Sequence, residues 1–340
     1  MTEEKVVVVT GAAGYWGARL AGRLIAEGGL RVVGIDTRPP TPAVEGLDFV
    51  RADVRNPLLA DLFKAEGVDT VCHLLFRQGA RPDEKTFDLN VIGTMKLLGA
   101  CQQAGVRKVV LKSSTAVYGA HPTNPAFLEE SRHLQGSRRY ADLGHQVEIE
   151  VLAQNFHRQA PEILLTILRF AHGVGPTADS PFTRFLRTPG APHLLGFDPP
   201  LQLIHEDDVV EALAQAVLND APGVFNVAAE GVLPLTRILA LAGKISPPVL
   251  PPLAEWGARL MATAGRPPDR VWPLEPSYLR YRCVADLTKM REELTFAPRY
   301  TAVEALQSFT EARQDTGQVN DLTAEDEERL RQTIAERQSQ

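Results

Sequence analysis

Cysteine is scarce: Cys72, Cys101 and Cys283 are the only three in 340 residues, and no two of them stand at a C-x-x-C spacing. A disulfide framework and a thiolate metal site are thereby excluded as organising features, and a reducing cytosol is the expected compartment. His, Asp and Glu do not recur at metal-site spacing either, so no metal is expected. Basic runs are missing, with 36 Lys and Arg facing 42 Asp and Glu for a formal net charge of −6. Without a basic face, neither nucleic acid nor an anionic membrane is an expected partner. No apolar stretch reaches membrane-spanning length. The opening MTEEKVVVVTGAAG passes from acidic residues into a short apolar run, with no basic n-region or cleavage site. A soluble, unprocessed, cytoplasmic protein is expected. G-x-S-x-G is absent too, which removes a nucleophile elbow at Ser114.

What is present is alternation. KVVVVT (5–10) is β-branched and continuously apolar, as a strand buried on both faces should be, and 17–29 has helical spacing ending in glycine. RVVGID (31–36), LDFVRAD (47–53), VDTVCHLL (68–75) and KVVLKSS (108–114) read as further strands, with a helix over 84–105. Strand and helix in turn predict an α/β fold, a doubly wound parallel sheet with its ligand at the carboxyl ends of the strands. At the first such end TGAAGYWG places Gly11, Gly14 and Gly17 between strand and helix. There glycine lets backbone N–H groups approach a pyrophosphate at the positive end of the helix. Asp36 ends the second strand, where a carboxylate accepts hydrogen bonds from the adenosine ribose and repels a 2′-phosphate; this favours NAD. Arg38, two residues on, keeps NADP open. The plainer alternative is a set of turn glycines beside a surface aspartate.

Together, TGAAGYWG, Asp36, Ala52–Asp53, HLLF (73–76), NVIGT (90–94), SSTAVYG (113–119), LRFAHGVGP (168–176) and LIHEDDV (203–209) carry a resemblance over about residues 5–310. The chain resembles the extended short-chain dehydrogenase/reductase family, in its NAD-dependent, UDP-glucose 4-epimerase-like branch. The resemblance implies a Rossmann domain over 1–175 and 203–228, a smaller substrate-binding lobe over 176–202 and 229–310, and a charged helical tail over 311–340. It places Gly11, Gly14, Tyr15, Trp16, Gly17, Asp36, Arg38, Asp53, Val54, Leu74, Leu75, Phe76, Asn90, Ser113, Tyr140 and Phe170 about the cofactor. Asp53 and Val54 would meet the adenine, Leu74, Leu75 and Phe76 would pass beneath the cofactor, and Phe170 would lie near the carboxamide. Asn90 would hold a strand-end carbonyl or a water near the nicotinamide side, its plainer alternative being a polar residue inside a helix that bonds backbone; His73 and His205 read as structural histidines.

The resemblance also implies the chemistry. Ser114 and Tyr140 would bond the substrate oxygen while nicotinamide exchanges hydride with the attached carbon. In SRRYADLGH (137–145), however, Gly144 stands where the family keeps a lysine one helical turn after the tyrosine. An unaided phenol has a pKa of about 10, and a cation about 4 Å away is worth roughly 1 to 4 kcal/mol to its ionisation. His145 lies about 140° around a regular helix from Tyr140, and only a one-residue π-bulge would bring it onto the same face. Arg138 and Arg139 are adjacent cations as well. Two readings stand. One is an NAD-dependent oxidoreductase or epimerase-like enzyme acting on a hydroxyl or carbonyl carbon of a small molecule such as a sugar nucleotide. The other is a nucleotide-binding sensor or interaction protein on the same fold, without turnover.

The substrate half is less explicit. His172 falls where epimerase-like relatives put a substrate-facing asparagine. Pro199, Pro200 and Leu201 stand where relatives that bind a uridine diphosphate sugar place an arginine, leaving Arg280 and Arg282 as candidate diphosphate partners or as solvated side chains. A charged helix over 322–338 is expected with Thr323 as its N-cap. Helices around 86–104 and 141–156 pair across a dimer in the resembled family, so a homodimer is expected.

Overall fold

A computed structural model of the chain describes residues 4–78, 83–136, 141–188, 191–250 and 275–320. Arg138, Arg139, Tyr140 and the expected 322–338 helix lie outside the described residues. Six strands come from the first half: β1 (Lys5–Thr10), β2 (Leu30–Asp36), β3 (Asp48–Arg51), β4 (Val68–His73), β5 (Lys108–Ser114) and β6 (Leu164–Phe170). The chain then enters a lobe through β7 (His172–Val174), β8 (His193–Leu194) and β9 (Pro200–His205), and returns with β10 (Gly223–Val227). The main sheet has the order β10-β6-β5-β4-β1-β2-β3, and every pair in it is parallel. Strand order therefore reverses between β1 and β4, the switch point at which α/β sheets open a crevice.

The apolar strand runs follow from two-sided burial. Val7, Val9, Val32, Cys72, Val110 and Leu168 pack with Leu20 and Leu24 of α1 (Tyr15–Glu27) and, further along the chain, Leu213 and Val217. Val6, Val8, Val33, Val71, Val109 and Ile167 face the other way, toward Phe63 of α2 (Leu59–Glu66) and Leu97. The predicted 84–105 helix is present in three pieces: α3 (Glu84–Phe87), a π-helical segment (Asp88–Ile92) and α4 (Gly93–Ala104). The helix after Tyr140, α5 (Ala141–Gln159), is α-helical along that whole length.

The lobe has its own core. After α6 (Pro181–Arg187) and β9, α7 (Glu206–Leu218) returns to pack on α1. β11 (Val232–Pro234) pairs antiparallel with β9, which pairs parallel with β7. Phe182, Phe185, Leu201, Leu203, Leu235, Ile238, Leu306 and Phe309 fill this second core, drawing on α8 (Leu235–Leu241). After α9 (Thr288–Glu292), the final described helix, α10 (Ala302–Asn320), is anchored there by Ala302, Ala305, Leu306 and Phe309. The boundary expected at 310/311 thus falls inside one helix. Among the described residues, no helix is long and apolar enough to cross a membrane.

Candidate functional site

The glycine turn between β1 and α1 is closed by its own backbone. Gly11 N–H donates to Ile35 at 2.9 Å, Gly14 N–H donates to the Gly11 carbonyl at 2.9 Å, and Ala13 N–H donates to Asp36 Oδ2 at 3.1 Å. Gly11 holds φ at +73°, and a Cβ there would come within 2.8 Å of the Leu75 backbone; at Gly17 a Cβ would overlap the Gly11 carbonyl. Glycine is required at both positions, because any side chain would fill the concave turn. The first turn of α1 then presents its unpaired N–H groups with neither an acidic residue in that turn nor a side-chain cap to compete. This cradle fits the pyrophosphate of a dinucleotide, with the Asp36 carboxylate at its rim. Arg38 is exposed beside it.

Other residues expected about the cofactor sort into several settings. Leu75 runs against Gly11, and Leu74 N–H donates to Thr10 at 3.2 Å, which draws the end of β4 with Leu74, Leu75 and Phe76 across the cradle. Val54 is buried and lies 3.1 Å from where a Gly93 Cβ would stand. The Asp53 carboxylate is held by Arg55, through Nε at 2.9 Å and Nη2 at 2.6 Å, which lowers its pKa. Arg55 also pairs with Asp88. The Tyr15 hydroxyl bonds Thr177 at 2.8 Å and accepts from Arg19, which also reaches Glu206, so Tyr15 braces the glycine turn against the head of α7.

Behind the cradle, His73 takes part in a directed chain. Thr10 Oγ1 lies 2.6 Å from His73 Nδ1, His73 Nε2 lies 2.9 Å from Thr94 Oγ1, and Thr94 donates to the Asn90 carbonyl. Because Thr94 spends its proton on that carbonyl, Nε2 carries the imidazole proton and Nδ1 accepts. Burial lowers the His73 pKa to about 4, which keeps it neutral, a core residue as its sequence setting implied. Asn90, on the π-helical segment, grips the Arg77 backbone from both sides at 2.8 Å and gives its remaining N–H to His145 Nδ1 at 3.3 Å. Asn90 thus holds a backbone carbonyl just past the end of β4, a contact common to both readings of this residue.

His145 is therefore not a spare cation. It is buried, edge-on to Phe87 at 5.6 Å, its Nδ1 accepts a hydrogen bond, and burial lowers its pKa. The π-bulge that would be needed to bring it round is absent from α5, and a π-helical segment lies instead in the helix it packs on. Gly144 is buried beside it.

At the end of β5 the two serines diverge. Ser114 caps a short 3-10 turn, its Oγ accepting from Ala116 N–H at 3.2 Å, and it stands in register with Phe170 at the end of β6. Ser113 points to the opposite face, where its hydroxyl donates to Glu150 of α5. Its side chain thus belongs to a buried network rather than to the cradle. Glu150 pairs with Arg169 at 2.7 Å with both side chains 1% exposed, Arg169 donates to the Tyr118 hydroxyl at 2.7 Å, and Tyr118 donates to Asn226 at 2.7 Å. Asn226 in turn donates to the Leu128 and Asp286 carbonyls.

Sequence reasoning passed over Lys112. Its ammonium lies 5.2 Å from the Trp16 ring centre and 5.7 Å from that of Phe170, and burial lowers its pKa to about 8. The signal was a lysine inside an apolar strand at an even position, sharing a sheet face with Val110. Trp16 itself stands against Gly173, whose Cβ would lie 3.8 Å from the indole.

The candidate substrate residues each have contacts of their own. His172 stacks on Phe182 at 4.8 Å, and burial lowers its pKa to about 4, leaving a neutral ring. Arg280 lies 5.4 Å over Phe197, while Arg282 is exposed and gives its carbonyl to Asn124 at 2.9 Å. Pro199 and Leu201 are buried, Leu201 in the core of the lobe. His205 caps α7 by accepting from Asp207 N–H at 3.1 Å and stacks on Tyr300 at 3.8 Å.

Comparison with known proteins agrees with this geometry. The model of the NAD dependent epimerase/dehydratase family matches residues 7–228. The uncharacterized protein Rv0501 of Mycobacterium tuberculosis is 37% identical over 324 residues, covering 91% of this chain and 84% of that protein. The UDP-glucose 4-epimerase of Mycolicibacterium smegmatis is 29% identical over 329 residues, covering 89% and 97%. Among solved structures, MoeE5 in complex with UDP-glucose and NAD is 25% identical, with a TM-score of 0.69 over 91% of this chain and 99% of that one.

Proposed function

This chain belongs to the NAD dependent epimerase/dehydratase family, and on that premise we propose that it is an NAD-dependent oxidoreductase or epimerase acting at a hydroxyl- or carbonyl-bearing carbon of a sugar nucleotide. The observation that carries the reading is the register of Ser114 against Phe170 at the strand ends, beside a glycine cradle that a Cβ at Gly11 or Gly17 would fill. Gly11, Gly14 and Gly17 hold the pyrophosphate by backbone, and Asp36 takes the ribose hydroxyls. When bound, the nicotinamide supplies a site that accepts and returns hydride. Ser114 orients the substrate oxygen, and Tyr140 holds or gives up the proton at its phenol oxygen. The sugar-nucleotide class is supported by likeness to the mycobacterial UDP-glucose 4-epimerase across 97% of its length and to MoeE5.

A second copy of the chain is the proposed partner. Val91, Met95, Leu98, Val151, Leu152 and Phe156 line an apolar groove between α4 and α5, and Met95 and Val151 remain 47% and 43% exposed in it.

The competing reading, a cofactor-binding sensor, is favoured by Gly144 together with a neutral His145. Nucleotide released from the purified protein identifies the cofactor, and product analysis against a panel of uridine and thymidine diphosphate sugars measures turnover. Bound NAD is expected, with Ser114→Ala and Tyr140→Phe each losing about a hundredfold or more in turnover. Wild type that neither binds nucleotide nor turns over a sugar would end the reading. Bound NAD without turnover, with activity appearing in Gly144→Lys, would select the sensor.

A further inference from the structure

Two lysines share one face of β5, and their ammonium groups are used differently. Lys108 is fully buried and donates to the Val217 carbonyl at 2.6 Å and the Asn219 carbonyl at 2.9 Å, with Asp220 at 3.2 Å, so its charge meets the negative end of α7. Lys112 lies four residues nearer the carboxyl end of the strand. Its ammonium lies within 6 Å of two ring centres, those of Trp16 in the first turn after the glycine cradle and Phe170 beside Ser114. Among the described residues, no carboxylate pairs with it.

The charged and titratable groups on the surrounding elements have other partners. On α1, Arg19 pairs with Glu206 and Asp207 at the head of α7, and Tyr15 bonds Thr177. On β6, Arg169 turns to Glu150 on the opposite face. On β4, Cys72 is a thiol whose ionisation burial suppresses, and His73 is bound by Thr10 and Thr94. On β7, His172 stacks on Phe182 as a neutral ring. Aromatic faces compensate a desolvated ammonium only in part, so the apo protein carries this charge at a cost. A charge so placed at the carboxyl end of a central strand is a candidate functional group.

This inference rests on the NAD reading above. The reacting carbon must come within reach of Ser114, which brings the nicotinamide to the end of the cleft where Lys112 lies. We propose that Lys112 is the cation of the nicotinamide site, set on the sheet in place of the helix position held by Gly144, and that it makes the site hold neutral, reduced nicotinamide more tightly than the cationic, oxidised form. Two like charges some 6–7 Å apart at an effective dielectric near 20 shift that preference by about tenfold to a hundredfold.

The experiment measures dissociation constants of NADH and NAD⁺ for nucleotide-stripped wild type, Lys112→Met, Lys112→Gln and Lys112→Arg, by nucleotide and tryptophan fluorescence, from about pH 6.5 to about pH 9.5. The ratio of NAD⁺ to NADH dissociation constants is expected to fall about tenfold or more in both neutral variants and to be kept in Lys112→Arg. In wild type it is expected to decline as pH rises past about 8, where the lysine loses its proton, and to stay flat in the neutral variants. A ratio equal in wild type and in either neutral variant, with both nucleotides bound, overturns the role of Lys112 and leaves the family-level function standing. Wild type that binds neither nucleotide overturns both.

Discussion

At the scale of single residues, Lys112 shows what an ammonium drawn into the protein costs the fold. Burial lowers its pKa from 10.5 to about 8, so between those values the unfolded chain holds more protons than the folded one, and stability rises with pH across that window. At neutral pH the charge is present in both states and weighs against the fold. Lys112→Met is therefore expected to stabilise the nucleotide-free protein by about 1–3 kcal/mol at pH 7 and to remove the rise above pH 8. Urea unfolding at several pH values measures both effects. Lys112 was visible in the sequence as a letter out of pattern in KVVLKSS. Strand alternation gives its face but not what stands across from it, and Trp16 and Phe170 are far away in the chain. His145 was similarly open, because helical angles measured from Tyr140 say nothing of Asn90, which is brought to it by another helix.

At the scale of elements, the strands were legible because two-sided burial writes itself as continuous Val and Ile. The glycine turn was legible because a tight turn leaves no substitute at Gly11 or Gly17. The π-helical segment over Asp88–Ile92 was not: the apolar spacing of 84–105 reads as one unbroken helix, and one extra residue per turn barely disturbs it. The polar network below β5 and β6 was hidden as well, since Ser113, Tyr118, Glu150, Arg169 and Asn226 come from five separate elements. Its weight can be measured. Glu150→Ala leaves the Arg169 guanidinium buried without its carboxylate and is expected to cost about 3–5 kcal/mol in denaturant unfolding. A conservative Glu150→Gln keeps hydrogen-bond acceptance and should cost less.

At the scale of the whole molecule, the α4–α5 groove is the surface proposed for a second copy of the chain. Met95→Glu combined with Val151→Glu places charge on both walls of the groove and is expected to turn a dimer into a monomer in sedimentation, with the single-chain fold kept by circular dichroism. A wild type that sediments as a monomer would remove that expectation. The sequence pattern turns irregular after Pro176, which suggests a division into nucleotide half and lobe. The borders were not legible, because β9 pairs with lobe strands while α7, directly after it, packs on α1. The strand that completes the main sheet, β10, is made only after β7, α6, β8, β9 and α7 have been synthesised, and it seats against β6 through five paired positions from Gly223 to Val227. During translation, β6 must then wait as a bare edge, with Arg169 and Phe170 at its tip, until Val227 has cleared the ribosome. The nascent nucleotide half is thus exposed to stray strand pairing over that interval, and a chain cut short before Gly223 would leave it so permanently.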